Sequence, residues 1–397
     1  PHEIAHNWWG NGVLVSDVDG NWSEGLVTYL ADYRQEAQGA KKRAADYRYR
    51  LLVEYASVVT PDRDFPLRQF RSRVDPVSHA IGYGKGAMLF QMVHARIGDR
   101  AFYAGLKRVL AEKLFKTASW SDFARAFSAE SGKDMVAFMT PWLDRAGGPR
   151  LSLQGVTRSH QGGKWLIQGV VVQQGLPYRL TLTLRTETAA GNRDTDIEVA
   201  GEQTPLTLTV VSAPKRLVLD PDHRVFRVLD RREIPMSVNR IKGAKSLSVI
   251  VTKGCRADEE TLRQLLLSLG KQDAAIYREG GPESDKLADH DLLYCGMPTA
   301  AGALPPLPTG VGFSAGSFTI GTELFKKAGD ALFVVLGDPG GSDRAVALFL
   351  PLSADAAARS VPKISHYGKF GYLVFTDGKN RAKGYFPPAR SVEVQKF

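Results

Sequence analysis

Apolar positions in the chain change period twice. Up to about residue 147 they recur at three- and four-residue spacing. Leu26, Tyr29, Leu30 and Tyr33 are one such stripe, and it predicts a helix from Trp22 to about Gln38. Further helices are predicted over 41–58, 79–97, 101–116, 119–130 and 134–145, with Ser119 and Ser121 as candidate caps. Gly147-Gly148-Pro149 breaks the pattern, and alternation follows in Trp165, Ile167, Gly169 and Val171, then in Tyr178, Leu180, Leu182 and Leu184. Short alternating runs with turn residues between them predict a small antiparallel β-sandwich. From Asn239 the pattern changes again. Continuous apolar runs at 246–252, 274–277, 291–296, 331–336 and 345–350 alternate with helical stretches at 258–269 and 354–359, and 371–375 reads as a last strand. Such runs predict a sheet covered by helices. The expected architecture is a multidomain α+β chain, divided at 1–147, 148–238 and 239–397.

The most chemically specific stretch comes first: Pro1-His2-Glu3-Ile4-Ala5-His6-Asn7-Trp8-Trp9-Gly10-Asn11. On a helix, His2 and His6 share a face, so both imidazoles can reach one metal ion. Glu3 between them is placed to take a proton from a water activated by that metal. This is the H-E-x-x-H arrangement. Zinc needs a third protein ligand and an open position. Glu24 is the candidate, at the start of the second predicted helix in Asn21-Trp22-Ser23-Glu24-Gly25. Asp19 is the alternative acid, in loop sequence.

These strings resemble the M1 family of zinc metallopeptidases, the gluzincin aminopeptidases. The resemblance implies the helical half of a thermolysin-like catalytic domain, one Zn2+ per chain held by His2, His6 and Glu24, and Glu3 as general base. It departs from the family in one place: residues 7 to 23 separate His6 from Glu24, seventeen where the family usually has eighteen. The missing residue most simply falls in the Gly12–Gly20 loop. Tyr83, in Ile81-Gly82-Tyr83-Gly84-Lys85-Gly86-Ala87, resembles the family's Tyr-x-Lys-Gly-Ala stretch, whose tyrosine donates its hydroxyl to the oxyanion. His79 lies four residues before it and could touch that tyrosine or substrate.

The resemblance is strong over the first 147 residues, weak over the β module and absent from the α/β tail. The family's Gly-x-Met-x-Asn stretch, which binds the substrate's free amine, is not in this sequence. The expectation is therefore the C-terminal portion of a longer protein, beginning at the zinc helix, with peptide substrates. The piece itself is expected to lack part of the substrate cleft. A reading of a different class is a peptidase-derived binding or scaffold protein, inactive at the truncated site, whose α/β tail takes a ligand or partner.

The remaining features narrow this picture. Net charge is +10, with Lys41, Lys42, Arg43, Arg48, Arg50, Arg63, Arg68, Arg71 and Arg73 close together in sequence. No nucleic-acid motif accompanies them, and a solvated helix face explains them. No apolar run is long enough to span a membrane. Cys255 and Cys295 lack metal-knuckle spacing, and a disulfide and two thiols are equally open. Gly254, Gly296 and Gly337-Asp338-Pro339-Gly340-Gly341 follow predicted strands and could border a ligand crevice, but no nucleotide-binding string is present. Asp220-Pro221-Asp222-His223 reads as a turn. Location and oligomeric state are not legible.

Overall fold

The computed structural model describes residues 1–397 except 17, 282–286, 288, 315, 338–343 and 387–393. It is a mixed α+β structure in two compact units. One comprises Pro1–Glu233 with the C-terminal strand, and the other begins at Ile234.

In the first unit the chain opens on helix α1 (His2–Ala5), and His6 keeps helical backbone angles at its end. Strands β1 (Trp9–Gly10) and β2 (Val13–Val15) follow, in a stretch expected to be loop. The second predicted helix is there, but in three parts: α2 (Ser23–Val27), a π-helical turn (Thr28–Tyr33) and α3 (Arg34–Gly39). Helix α4 (Lys41–Val58) runs over its expected length. Next come α5 (Pro76–His79), a second π-helical turn (Ala80–Lys85) and α6 (Gly86–Lys113), which absorbs two predicted helices. Gly98, at φ 79°, marks the break between them. Strand β3 (Thr117–Ala118) joins β2 in a small parallel sheet, a pairing too short to leave a period in the sequence.

Ser119 caps α7 (Trp120–Ser131) in a reciprocal pair with Asp122, and Asp134 caps α8 (Met135–Asp144). The β module holds β4 (Arg150–Gln161), β5 (Lys164–Gln174), β6 (Leu180–Thr188), β7 (Gly191–Val199), β8 (Gln203–Val210) and β9 (Pro214–Leu219). They form two antiparallel sheets, β4-β5-β8 and one in which β6 lies between β7 and β9. Val394–Lys396 pairs with β9, so the end of the chain belongs to this module rather than to the α/β segment expected to reach 397. The strand predicted at 371–375 is therefore not the last.

The expected basic cluster is dispersed. Arg48 is buried and donates to the carbonyls of Asp222 and His223, Arg63 pairs with Asp75, and Arg68 pairs with Asp19 and Asp144. Asp220 accepts from the Arg224 and Val225 amides, as a turn residue does.

The second unit starts with α9 (Val238–Lys242), β10 (Leu247–Val251), α10 (Glu259–Ser268), β11 (Ala275–Arg278) and β12 (Asp291–Cys295). A hairpin sheet of β13 (Val311–Ser314), β14 (Ser317–Ile320) and β15 (Glu323–Phe325) was not foreseen. Then come β16 (Asp330–Gly337), β17 (Ala345–Pro351), α11 (Ala354–Ile364), β18 (Tyr372–Thr376) and β19 (Lys379–Gly384). The main sheet runs β11-β10-β12-β17-β16-β18-β19, parallel from β11 to β17 and antiparallel beyond. Apolar residues fill both faces, which is why β16 and β17 read as continuous apolar runs.

Strand order reverses at β10 and β12, whose carboxyl ends would open a crevice. Instead Cys255 and Cys295 form a disulfide there, and Thr252 donates to the Cys295 carbonyl. Asp338, Pro339, Gly340 and Gly341 of the expected glycine-rich crevice lie outside the described residues. No described helix is long and apolar enough to cross a membrane.

Candidate metal centre

Three side chains converge between α1 and α2. His2 Nε2 and His6 Nε2 are 3.2 Å apart, and Glu24 Oε2 is 3.5 Å from the first and 3.3 Å from the second. The three are partly buried. Among the described residues they are the one group of three or more His, Cys, Asp or Glu side chains arranged to hold a metal ion. Asp19 is elsewhere, paired with Arg68.

The other nitrogen of each ring explains why this cluster suits a cation. His2 Nδ1 donates to Asp32 Oδ2 at 2.8 Å, and His6 Nδ1 donates to the Trp9 carbonyl at 2.9 Å. With those protons committed, both Nε2 atoms present lone pairs, and they face a carboxylate oxygen. Three electron-rich atoms at this range repel one another unless positive charge lies among them. Two imidazoles and one carboxylate, with one side open, is a donor set that zinc accepts. A carboxylate and a backbone carbonyl behind the rings are the outer partners that fix ligand tautomer and aim.

Glu3 is exposed on the same turn as His2, within electrostatic reach of Tyr83. Tyr83 lies within electrostatic reach of the Glu24 carboxylate. Burial first, then the Glu24 charge, push its hydroxyl up to about 12, so it stays a donor at neutral pH. Its ring stacks on His79 at 4.6 Å and lies parallel to the His2 ring at 6.2 Å. His79 Nδ1 in turn meets Glu54 Oε1 at 2.9 Å, so His79 contacts the tyrosine.

Local sequence explains the convergence. Asn21 Oδ1 accepts from the Ser23 amide and hydroxyl at the start of α2. Trp22 is fully buried, donates to the Ala118 carbonyl and packs on Phe123 at 4.7 Å. A Cβ on Gly25 would sit 2.8 Å from the Gly86 Cα. These two glycines let the backbones carrying Glu24 and Tyr83 touch, and any side chain would part them.

Asp32, the Trp9 carbonyl and the Gly25–Gly86 contact were not anticipated. Asp32 lies eight residues after Glu24, off the α-helical period, so no pattern search would pair them. The two others are backbone features without a sequence signal.

Residues 1–142 match the model described as the Peptidase family M1 domain. Over this region the chain is similar to peptidase family M1. The mitochondrial aminopeptidase 2 of Saccharomyces cerevisiae is 29% identical over 157 residues, covering 38% of this chain and 16% of that protein. The leucyl aminopeptidase of Saccharolobus solfataricus is 27% identical over 190 residues, covering 46% of this chain and 24% of the relative. The chain thus spans less than a quarter of the length of either. Among solved structures, aminopeptidase A of Legionella pneumophila in complex with aspartic acid aligns over 57% of this chain and 26% of that one, with 19% identity and a TM-score of 0.39.

Proposed function

We propose that the chain carries the zinc centre of a peptidase of aminopeptidase type. The observation that carries this is the meeting of His2, His6 and Glu24 lone pairs at 3.2–3.5 Å, with the ring protons turned outward onto Asp32 and Trp9. The similarity of residues 1–142 to family M1, whose aminopeptidases are zinc enzymes, and the relatives' names support it.

Zinc, when bound, supplies Lewis acidity toward water and the scissile carbonyl. Glu3 then acts as the base. Exposed beside the His2 ligand, its carboxylate takes the proton of the attacking water and returns it to the departing amine. Tyr83 donates its hydroxyl to the negative charge growing on the carbonyl oxygen. Burial and the neighbouring Glu24 keep that proton in place. His79 holds the tyrosine ring by stacking.

The test is metal analysis of the purified chain with Glu3→Gln beside it. One zinc per chain in both, with hydrolysis of amino-acyl substrates lost only in Glu3→Gln, is the expected result. A wild-type chain without zinc would refute the proposal.

A further inference from the structure

We infer that the π-helical turn Thr28–Tyr33 is a register device, and that it makes Asp32 the positioning residue for the metal ligand His2. The inference rests on the zinc reading above. On a continuous α-helix at about 100° per residue, the seventh residue after Glu24 returns to within about 20° of it, and the eighth is about 80° away. Ala31 would then face the metal and Asp32 would miss it. A π turn closes i to i+5 and takes up one additional residue. Asp32, the eighth residue and the last but one of the turn, is thereby carried back toward the place the seventh would take. The contact follows: Asp32 Oδ2 lies 2.8 Å from His2 Nδ1, on the side of the helix that carries Glu24.

A π turn is rare within helices, and here it is held from outside. Two buried tyrosines inside the turn make the contacts. Tyr29 Oη is 2.5 Å from His94 Nδ1, and His94 Nε2 is 2.6 Å from Asp99 Oδ1. The Tyr33 hydroxyl accepts from buried Arg48. Their rings stack on each other at 5.3 Å, so the turn is clamped from α6 on one side and α4 on the other.

The experiment measures zinc affinity by chelator competition, with the absorption spectrum of the cobalt(II) form and a thermal melt as controls. The variants are Asp32→Ala, Asp32→Asn and the double variant Ala31→Asp/Asp32→Ala. Asp32→Ala should weaken zinc by about 10–100-fold and shift the cobalt spectrum while the melt stays near wild type. Asp32→Asn keeps an acceptor without the charge and should fall between, which serves if Asp32→Ala folds poorly. The double variant should stay as weak as Asp32→Ala, because residue 31 points away from His2. Recovery to within about threefold of wild type would overturn the register argument. Wild-type affinity in Asp32→Ala would overturn the role of Asp32 and leave the zinc centre standing. A wild-type chain that takes up no zinc would overturn both.

Discussion

His6 Nε2 and Glu24 Oε2 lie 3.3 Å apart although seventeen residues, 7 to 23, separate them. The intervening chain is not slack. Trp9–Gly10 and Val13–Val15 are strands tied to Thr117–Ala118, and Asn21 starts the next helix. The strand pairing and the buried Trp22 set where α2 begins.

Tyr83 is the expected oxyanion donor, and it lies near Glu24 without belonging to the cluster of His2, His6 and Glu24. Tyr83→Phe should lower kcat about 10²–10³-fold. Zinc content and melting temperature should not change. Loss of zinc in this variant would make Tyr83 a structural part of the centre instead.

Gly25 and Gly86 set the distance between the Glu24 and Tyr83 backbones. Gly25→Ala should destabilise the first unit by about 1–3 kcal/mol through overpacking, and should weaken zinc as Glu24 is displaced. Denaturant unfolding followed by tryptophan fluorescence reads the first effect. An unchanged midpoint would show that the helices can part without cost.

His223 is half-buried and stacked on Tyr49, with the Arg227 and Arg48 charges nearby. Burial first, then those charges, push its imidazole from 6.5 down to about 3. The unfolded chain therefore takes up a proton between these values while the folded chain does not. Its contribution is fully present above pH 6.5 and is lost as pH falls toward 3. Between pH 7 and 5 wild type should lose about 2 kcal/mol more than His223→Asn. Asparagine suits the φ of 53° at this position. Equal losses in the two proteins would exclude His223 as the acid-sensitive group.

The Cys255–Cys295 disulfide closes a loop of sequence separation 40 in the second unit. Reduction should cost that unit about 4 kcal/mol on the chain-entropy model. All six tryptophans lie at or before residue 165, in the first unit. Circular dichroism should therefore show a transition moved to lower denaturant while the tryptophan transition stays put. A shift of the tryptophan signal, or no shift at all, would contradict this assignment.

Much of this was legible before any coordinates. The His2–His6 pair follows from helical spacing, α4 from the 41–58 pattern, and the α7 start from the candidate caps Ser119 and Ser121, of which the first is used. These are short-range features, encoded within a few residues. The hairpin β13–β15 was not legible, because strands of three or four residues leave no measurable period. Nor was the return of Val394–Lys396 to β9, a pairing with no local signature.

What the sequence determined by itself was chemistry: which residues could bind metal, which could carry a proton, and which spans alternate or repeat. Residue type and short spacing suffice for that, since side-chain pKa, ligand character and helical period are local properties. Tertiary structure alone decided that Asp32 rather than Ala31 stands behind His2, and that the two cysteines are bonded. Each of these depends on where a turn widens or a backbone packs, and only long-range contacts set that.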